Sequence, residues 1–240
     1  MRDCLLDLVQ HTFDLGCIDL VKIVGDSNTT QISGLAEDLS VVVQGNFHTP
    51  VADFMGTFGM PNLNKLKTLL NLQEYREDSK LTITRGSTGE PDGISFENKH
   101  GDFKNSYRFM SAGVVGEKLK TAKMKPVNWH IEFEPTVASI MRLKMQMSAN
   151  AEEPNFQVKT DGTDLKFYFG DHSTHAGNFV FQSDITGQLK RAWSYPAKQF
   201  AGIMDLTGDK IVRISDDGAA QVTVDSGVAV YNYILPAQSK

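Results

Sequence analysis

Two stretches of the chain repeat the same pattern at a nearly constant distance. In "MPNLNKLKTLLNL" followed by "SKLTITRGSTGEPDGISFE", a proline opens a short helix, and a lysine-led strand, a glycine turn and another strand come next. The stretches "YPAKQFAGIMDL" and "GDKIVRISDDGAAQVTVD" have the same order. Equivalent positions such as Pro61 and Pro196 are 130 to 135 residues apart. A fixed offset of this kind predicts a tandem duplication of one domain of about 110 residues.

Most of each half has the composition of β-strands. Runs such as "LSVVVQGNF", "KLTITRG", "TDLKFYFGD" and "VAVYNYILP" are rich in β-branched and aromatic residues. Glycine turns such as "TDGTD" and "DDGAA" indicate hairpins and hence mainly antiparallel sheets. Four segments instead have helical patterns, at about 2–14, 62–72, 136–149 and 197–206. We therefore predict an α+β fold of two similar domains, each with two short helices on antiparallel sheets.

The boundary between the two domains is predicted from a lysine-rich segment. "GVVGEKLKTAKMKP" (113–126) has Gly and Pro at its ends and no clear period, which is typical of a linker. This places domain 1 at 1–112, the linker at 113–126 and domain 2 at 127–240. The second half opens with "VNWHIEFEP" before its helix, whereas the first half begins almost directly with a helix. Either domain 1 lacks that strand or the given sequence starts after it.

Composition excludes several classes of protein. The 240 residues are 40% hydrophobic and 22% charged, which suits a globular protein with real cores. No run of 18 apolar residues predicts a membrane span, and "MRDCLLDLVQHTFDLG" lacks a secretory cleavage site. Cys4 and Cys17 are too few for a disulfide framework, so we expect reduced thiols and a cytoplasmic protein. A net charge of −5 argues against general adhesion to nucleic acid, although a local basic surface remains compatible with it.

The predicted helices differ in the charge of their polar faces. The second helix has Leu63, Leu66, Leu69 and Leu70 on its apolar side, and Asn64, Thr68 and Asn71, flanked by Lys65 and Lys67, on the other. The third is expected to present Ser139, Arg142, Gln146 and Asn150, with Lys144 on the apolar side. The fourth presents Lys198, partly cancelled by Asp205. The first differs, with Asp3, Asp7 and Asp14 beside Gln10 and His11.

The second and third predicted helices contain no acidic residue, and two interpretations explain this. Lysine and arginine on a short helix commonly do no more than solvate its outer face. Two duplicated helices without acids in an acidic chain are also typical of a surface that follows a DNA backbone, because phosphate contacts provide affinity without reading sequence.

No motif predicts catalysis. "DHSTH" places Asp171, His172 and His175 in a turn that could hold a metal, but a polar hairpin loop explains it better because no further histidine or cysteine lies nearby. "GTFGMPNLNK" lacks the spacing of a phosphate-binding loop, and GxSxG, HExxH and CxxC do not occur. We therefore expect no enzyme activity, no cofactor and no metal.

The layout resembles that of the DNA sliding clamps, the processivity factors of DNA polymerases. The likeness is to the trimeric clamps of large tailed bacteriophages and, more distantly, to proliferating cell nuclear antigen. It is carried by the repeat together with "TTQISGLAEDLSVVVQG", "VASIMRLKMQM" and "GVAVYNYILPA". The resemblance implies a homotrimer that closes head to tail into a ring, with twelve helices around duplex DNA. Lys65, Lys67 and Arg142 would face the phosphates, with Lys144 and Lys198 as secondary candidates.

The resemblance also implies partners and a place where they bind. A replicative DNA polymerase and an ATP-dependent clamp loader would insert short peptides into an apolar pocket near the linker and the C-terminus. Its residues would be Leu35, Leu39, Tyr231, Tyr233, Ile234, Leu235 and Pro236 together with the linker. Alternatively, the aromatic and aliphatic residues of "YNYILPA" only complete a domain core.

A protein of another class also fits much of this pattern. A non-enzymatic, β-rich viral structural or carbohydrate-binding protein of two duplicated domains would explain the strands and the repeat equally well. It would not explain why helices in matching positions lack acids. An enzyme that uses "DHSTH" is a third alternative, and stoichiometric metal in the purified protein would favour it.

Overall fold

The structure is a computed structural model that describes residues 1–119, 126–171, 173 and 175–238. The chain divides into two compact units. Unit 1 is Met1–Ala122 with Ser226–Tyr231, and unit 2 is Lys123–Asp225 with Asn232–Lys240. The last strand of the chain therefore begins in unit 1 and ends in unit 2. None of the described helices is long and apolar enough to cross a membrane.

The described part of unit 1 contains three α-helices and eight complete strands. The helices are α1 (Arg2–His11), α2 (Leu63–Asn71) and α3 (Ala112–Lys118). The strands are β1 (Leu20–Gly25), β2 (Thr30–Leu35), β3 (Val42–Phe47), β4 (Gly56–Pro61), β5 (Lys80–Arg85), β6 (Pro91–Glu97), β7 (Lys104–Arg108) and β8 (Met110–Ser111). One antiparallel sheet has the order β8-β4-β1-β2-β3, and a second has the order β5-β6-β7.

Unit 2 contains two helices and most of eight strands. The helices are α4 (Val137–Ala149) and α5 (Ala197–Asp205). The strands are β9 (Ile131–Phe133), β10 (Asn155–Asp161), β11 (Asp164–Phe169), β12 (Gly177–Gln182), β13 (Trp193–Pro196), β14 (Asp209–Ser215), β15 (Ala219–Asp225) and β16 (Ala229–Pro236). One antiparallel sheet has the order β12-β11-β10-β13, and the other has the order β16-β15-β14-β9.

The order of elements confirms the duplication. In each unit a helix is followed by four strands, a second helix and a run of three strands, β5 to β7 and β14 to β16, and unit 1 adds the two-residue β8. The four strands between the helices are arranged alike, as β4-β1-β2-β3 and β13-β10-β11-β12. The predicted α+β class, the antiparallel pairing and the four predicted helices are therefore confirmed, with helix ends that differ by a few residues.

The segment predicted as a linker is helical over part of its length. Helix α3 covers Ala112–Lys118, so it begins at the last residue of predicted domain 1 and includes the first six positions of the predicted aperiodic run 113–126. Val115 is buried and contacts the backbone position of Gly59 on β4, which anchors this helix to the first sheet. Burial of that side chain offsets the cost of Gly113 and Gly116 in a helix, about 1 kcal/mol each. Positions 120–125 of the predicted linker lie outside the described residues.

Local chemistry explains where α2 begins and how it lies on its sheet. Asn62 has a left-handed backbone (φ 53°), and its side chain accepts a hydrogen bond from the Lys65 amide at 3.2 Å. The Asp19 carboxylate also accepts from the Leu63 amide at 2.9 Å. The predicted apolar side of this helix is buried as expected, at Leu63, Leu66, Leu69 and Leu70.

Candidate nucleic-acid interface and partner pocket

The two lysines of α2 differ in their surroundings. Lys65 is exposed and forms no ion pair with any described residue. The Lys67 ammonium lies 2.6 Å from Asp14 Oδ1, directly after α1, and 5.7 Å from the centre of the Phe13 ring. The polar residues on the same face bond to their own helix, since the Thr68 hydroxyl donates to the Asn64 carbonyl at 2.9 Å. The exposed face of α2 therefore carries one unpaired and one paired cation.

The polar face predicted for α4 is wrong at Ser139 and Asn150, which are buried, whereas Arg142 is exposed and Gln146 is half-exposed. Ser139 is buried because it belongs to the N-cap, where its amide donates to Thr136 Oγ1 at 3.0 Å. Asn150 is buried because its side chain closes the other end, donating to the Gln146 carbonyl at 2.8 Å. The Ser139 hydroxyl pairs with the Thr136 hydroxyl and the Asn150 amide bonds the helix backbone, so the polarity of these two side chains does not mark the solvent side.

The surface that α4 exposes is partly apolar. Val137, Met141 and Met145 are spaced one turn apart and are 76%, 53% and 63% exposed. Arg142 is exposed, but its guanidinium lies 5.5 Å from the centre of the Phe179 ring on β12. Lys144, which was expected on the apolar side, is exposed and forms an ion pair with Asp205 at the end of α5.

Helix α5 adds one further cation. Lys198 is exposed and has no ion pair within the described part of the chain. The predicted cancellation of Lys198 by Asp205 is wrong, because Asp205 pairs with Lys144 instead. Of the five predicted DNA-facing residues on α2, α4 and α5, four are exposed and Lys67 is 42% exposed, and Lys67 and Lys144 each already contact a carboxylate.

The polar face predicted for α1 is wrong at two positions. Asp7 and His11 are buried, with 9% and 1% exposure. His11 Nδ1 lies 2.9 Å from the Asp7 carbonyl and 3.2 Å from Asp7 Oδ1, and since both oxygens are acceptors, this nitrogen donates. The Tyr231 hydroxyl donates to Asp7 Oδ2 at 2.7 Å, and its ring stacks on His11 at 4.7 Å. The three side chains form a buried network between α1 and β16 that the sequence pattern did not predict.

The charge state of this network follows from its hydrogen bonds. Burial by itself would raise the pKa of Asp7, but hydrogen bonds from His11 and Tyr231 outweigh it and lower the pKa below its ordinary value. Asp7 is therefore a carboxylate at neutral pH, and the two donors stabilise its charge inside unit 1.

A cavity of about 500 Å³ lies in unit 1 beside two of the predicted pocket residues. Its lining comes from β1, β2, the turn after β2, β4, β8 and the end of α3, and it includes the charged residues Asp19, Glu37 and Lys118. The lining residues are Asp19, Leu20, Leu35, Ala36, Glu37, Leu39, Pro61, Asn62, Met110, Lys118 and Leu119. Leu35 and Leu39 therefore meet Lys118 and Leu119 of the predicted linker, while Asp19, Leu20 and Met110 were not predicted.

Leu39 is unusual among the lining residues. It has a left-handed backbone (φ 60°) and 61% exposure at the turn between β2 and β3. The turn is held by hydrogen bonds from the Ala36 amide to the Val41 carbonyl and from the Ser40 hydroxyl to Asp38 Oδ1. A left-handed leucine costs roughly 1–2 kcal/mol, so the turn presents an apolar side chain to solvent at an energetic cost.

The C-terminal residues predicted for the pocket are mostly buried. Tyr231, Tyr233 and Leu235 have no exposed surface, and Ile234 is 6% exposed. Pro236 is exposed. None of these five lines the cavity. Their burial agrees with the alternative that "YNYILPA" completes a core, because a buried ring has no surface to offer a ligand.

The "DHSTH" turn, which we expect to be a polar hairpin loop, is only partly within the described residues. Asp171 Oδ1 accepts hydrogen bonds from the amide and the hydroxyl of Ser173, at 2.8 and 2.6 Å, as in a polar turn. His172 lies outside the described residues. Among the residues that the structure describes, no group of three or more His, Cys, Asp or Glu side chains could hold a metal ion.

Comparison with known proteins identifies the fold but not a family. No protein-family model matches the chain, and no curated protein matches it in sequence. Proliferating cell nuclear antigen from Thermococcus kodakaraensis superposes with a TM-score of 0.68 at 11% identity, covering 99% of this chain and 97% of that one. A. fulgidus proliferating cell nuclear antigen, solved with the C-terminal region of FEN-1 bound, gives a TM-score of 0.69 at 7% identity over 98% and 96%.

The Entamoeba histolytica protein of the same name also gives a TM-score of 0.69, at 13% identity and with 98% and 96% coverage. In all three comparisons the match extends over nearly the whole of both chains. The chain therefore has the fold of the sliding clamps of the proliferating cell nuclear antigen type.

Proposed function

We propose that the protein is a subunit of a DNA sliding clamp, which encircles duplex DNA without sequence preference and tethers a replicative DNA polymerase. The observation that carries this proposal is the clamp fold over 98–99% of the chain. Exposed cations on α2, α4 and α5 support it, because an enclosing ring needs diffuse attraction to phosphates and no base recognition. The protein would have no catalytic chemistry of its own.

We infer that three copies close into a ring. In a head-to-tail assembly each chain uses two different edges, which also covers strands that would otherwise present unpaired backbone groups. The trimeric phage clamps are the subtype that we propose, on the three stretches in which the sequence resembles them. Light scattering over a range of protein concentrations tests the trimer. A molar mass near three times 26.6 kDa supports it, and a constant mass of one chain contradicts it.

We propose that the cavity beside Leu35 and Leu39 receives an apolar side chain of a partner peptide, from the polymerase or from an ATP-dependent clamp loader. The known complex of a clamp of this fold with the C-terminal region of FEN-1 supports peptide binding as a property of the fold. The volume of about 500 Å³ and the exposed Leu39 suit an apolar anchor with a polar rim. Tyr231, Tyr233, Ile234 and Leu235 are buried and do not belong to the proposed binding surface.

Charge reversal tests the DNA surface. We expect Lys65→Glu with Lys198→Glu to abolish stimulation of primer extension and to weaken binding to a short duplex, with the molar mass of the assembly unchanged. These two lysines are chosen because no described carboxylate neutralises them. The matched control is Lys80→Glu with Lys190→Glu, which reverses the same number of charges at exposed positions outside the helices. Equal losses in the two double variants would contradict the proposed surface.

A further inference from the structure

Each unit has a lysine on one helix that is neutralised by an aspartate of the neighbouring helical segment. In unit 1, Lys67 of α2 pairs with Asp14 in the short 3-10 turn after α1, at 2.6 Å. In unit 2, Lys144 of α4 pairs with Asp205, the last residue of α5. Helix α1 packs on α2, and α4 packs on α5. The pairing thus recurs between the two helical segments of each unit. In unit 1 the lysine is on the second helix, whereas in unit 2 it is on the first.

Neither pair is a buried structural element. The side chains of Lys67 and Asp14 are 42% and 35% exposed, and those of Lys144 and Asp205 are 50% and 49% exposed. Ion pairs with this much exposure contribute little to stability. They do, however, hold the lysine ammonium group next to the aspartate, because the carboxylate is already within contact distance of it.

We propose that Asp14 and Asp205 compete with the DNA phosphates for the ammonium groups of Lys67 and Lys144. Each carboxylate holds a lysine that a phosphate would otherwise attract, so the two pairs weaken the grip of the helices on the backbone. A loosely held duplex can slide through the ring, because each lysine exchanges between a carboxylate and a phosphate that attract it similarly. This inference rests on the proposed function and adds to it two acidic residues that set the affinity.

The competition has a measurable consequence in salt dependence. Each additional phosphate that a protein neutralises steepens the slope of log K against log salt concentration by about 0.9 for duplex DNA. Asp14→Asn keeps the size of the side chain and removes the charge, which releases Lys67 for a phosphate. We expect Asp14→Asn and Asp205→Asn each to tighten binding roughly 1.5- to 5-fold at low salt, the range of an exposed ion pair, and to steepen the slope.

The experiment is a titration of a short fluorescein-labelled duplex of mixed sequence with the full-length protein, followed by anisotropy at several salt concentrations. The matched control is Asp3→Asn, which removes the same charge from α1, where Asp3 is exposed and has no ion pair with a described residue. A second comparison places Asp14→Asn in a Lys67→Met background. If Asp14 acts through Lys67, the aspartate substitution has no further effect there.

The outcomes separate this inference from the proposed function. Tighter binding with a steeper slope in Asp14→Asn and Asp205→Asn, but not in Asp3→Asn, is the expected result. Equal effects in all three variants would overturn the inference, because only net charge would then matter, and the clamp proposal would stand. Absence of duplex binding in the wild-type protein and in the variants alike would overturn the proposed function and this inference with it.

Discussion

Removing the hydroxyl of Tyr231 is expected to destabilise unit 1 in a pH-dependent way. In Tyr231→Phe the stack on His11 is retained, but Asp7 loses a donor at 2.7 Å while it remains 9% exposed. A hydrogen bond to a charged group contributes about 1.5–3 kcal/mol. Because His11 still donates to the carboxylate, we expect a loss of about 2 kcal/mol in the free energy of unfolding at neutral pH.

The sign of the pH dependence follows from the lowered pKa of Asp7. Its hydrogen bonds from His11 and Tyr231 outweigh the effect of burial, so the folded state holds the proton more weakly than the unfolded state does. The stability that Asp7 contributes is therefore present above its unfolded pKa of about 4 and is lost as the pH falls through the folded pKa. The difference between wild type and Tyr231→Phe should shrink in that acidic range.

The assay is urea unfolding at neutral and acidic pH, at one protein concentration throughout because assembly would shift apparent stability. Tyr107→Phe is the matched control, since the Tyr107 hydroxyl donates to the neutral Pro61 carbonyl in the same unit. Its loss should be about 0.5–1.5 kcal/mol and should not depend on pH in this range. Equal stability of Tyr231→Phe and wild type, or a difference with no pH dependence, would refute the charged-network account.

Three further substitutions test other parts of the molecule. Leu143→Ala, at a fully buried position of α4, should lower the free energy of unfolding by about 2–5 kcal/mol in urea titrations, and no loss would contradict its place in the core. Asn62→Ala should cost about 1–2 kcal/mol because it removes the cap of α2 and places alanine at φ 53°, whereas Asn62→Gly should cost only a few tenths. Leu39→Gly should raise stability slightly by relieving the left-handed leucine, yet weaken capture of a partner peptide in calorimetry, and unchanged peptide affinity would exclude Leu39 from the pocket.

The elements of the fold could be predicted from local patterns, because helix and strand periods and turn glycines are properties of short segments. Helix α3 was missed because Gly113 and Gly116 disfavour a helix locally, and only the burial of Val115 against β4 shows why one forms. The exposed face of α4 was mispredicted for a related reason. Ser139 and Asn150 are polar, but both are buried, because the Ser139 hydroxyl pairs with the N-cap Thr136 and the Asn150 side chain closes the other end of the helix.

The candidate site depends on contacts that no short segment contains. Asp14 and Lys67 are 53 residues apart, and Asp7 and Tyr231 are 224 residues apart, so no spacing rule relates them. Leu35 and Leu39, which the resemblance to the sliding clamps implied, line the cavity in unit 1. Its other walls come from strands and turns distant in sequence, and the tyrosines assigned to it belong to the core.

Topological retention on DNA tests the proposed clamp most directly. The protein is equilibrated with linear duplex attached to beads at one end, the free end is then blocked with streptavidin, and the beads are washed at high salt. The account predicts that protein stays on end-blocked DNA, where a closed ring has no exit, and leaves when a restriction enzyme cuts the duplex. Equal loss of protein from blocked and open DNA at high salt would show that binding is only electrostatic, and would contradict encirclement.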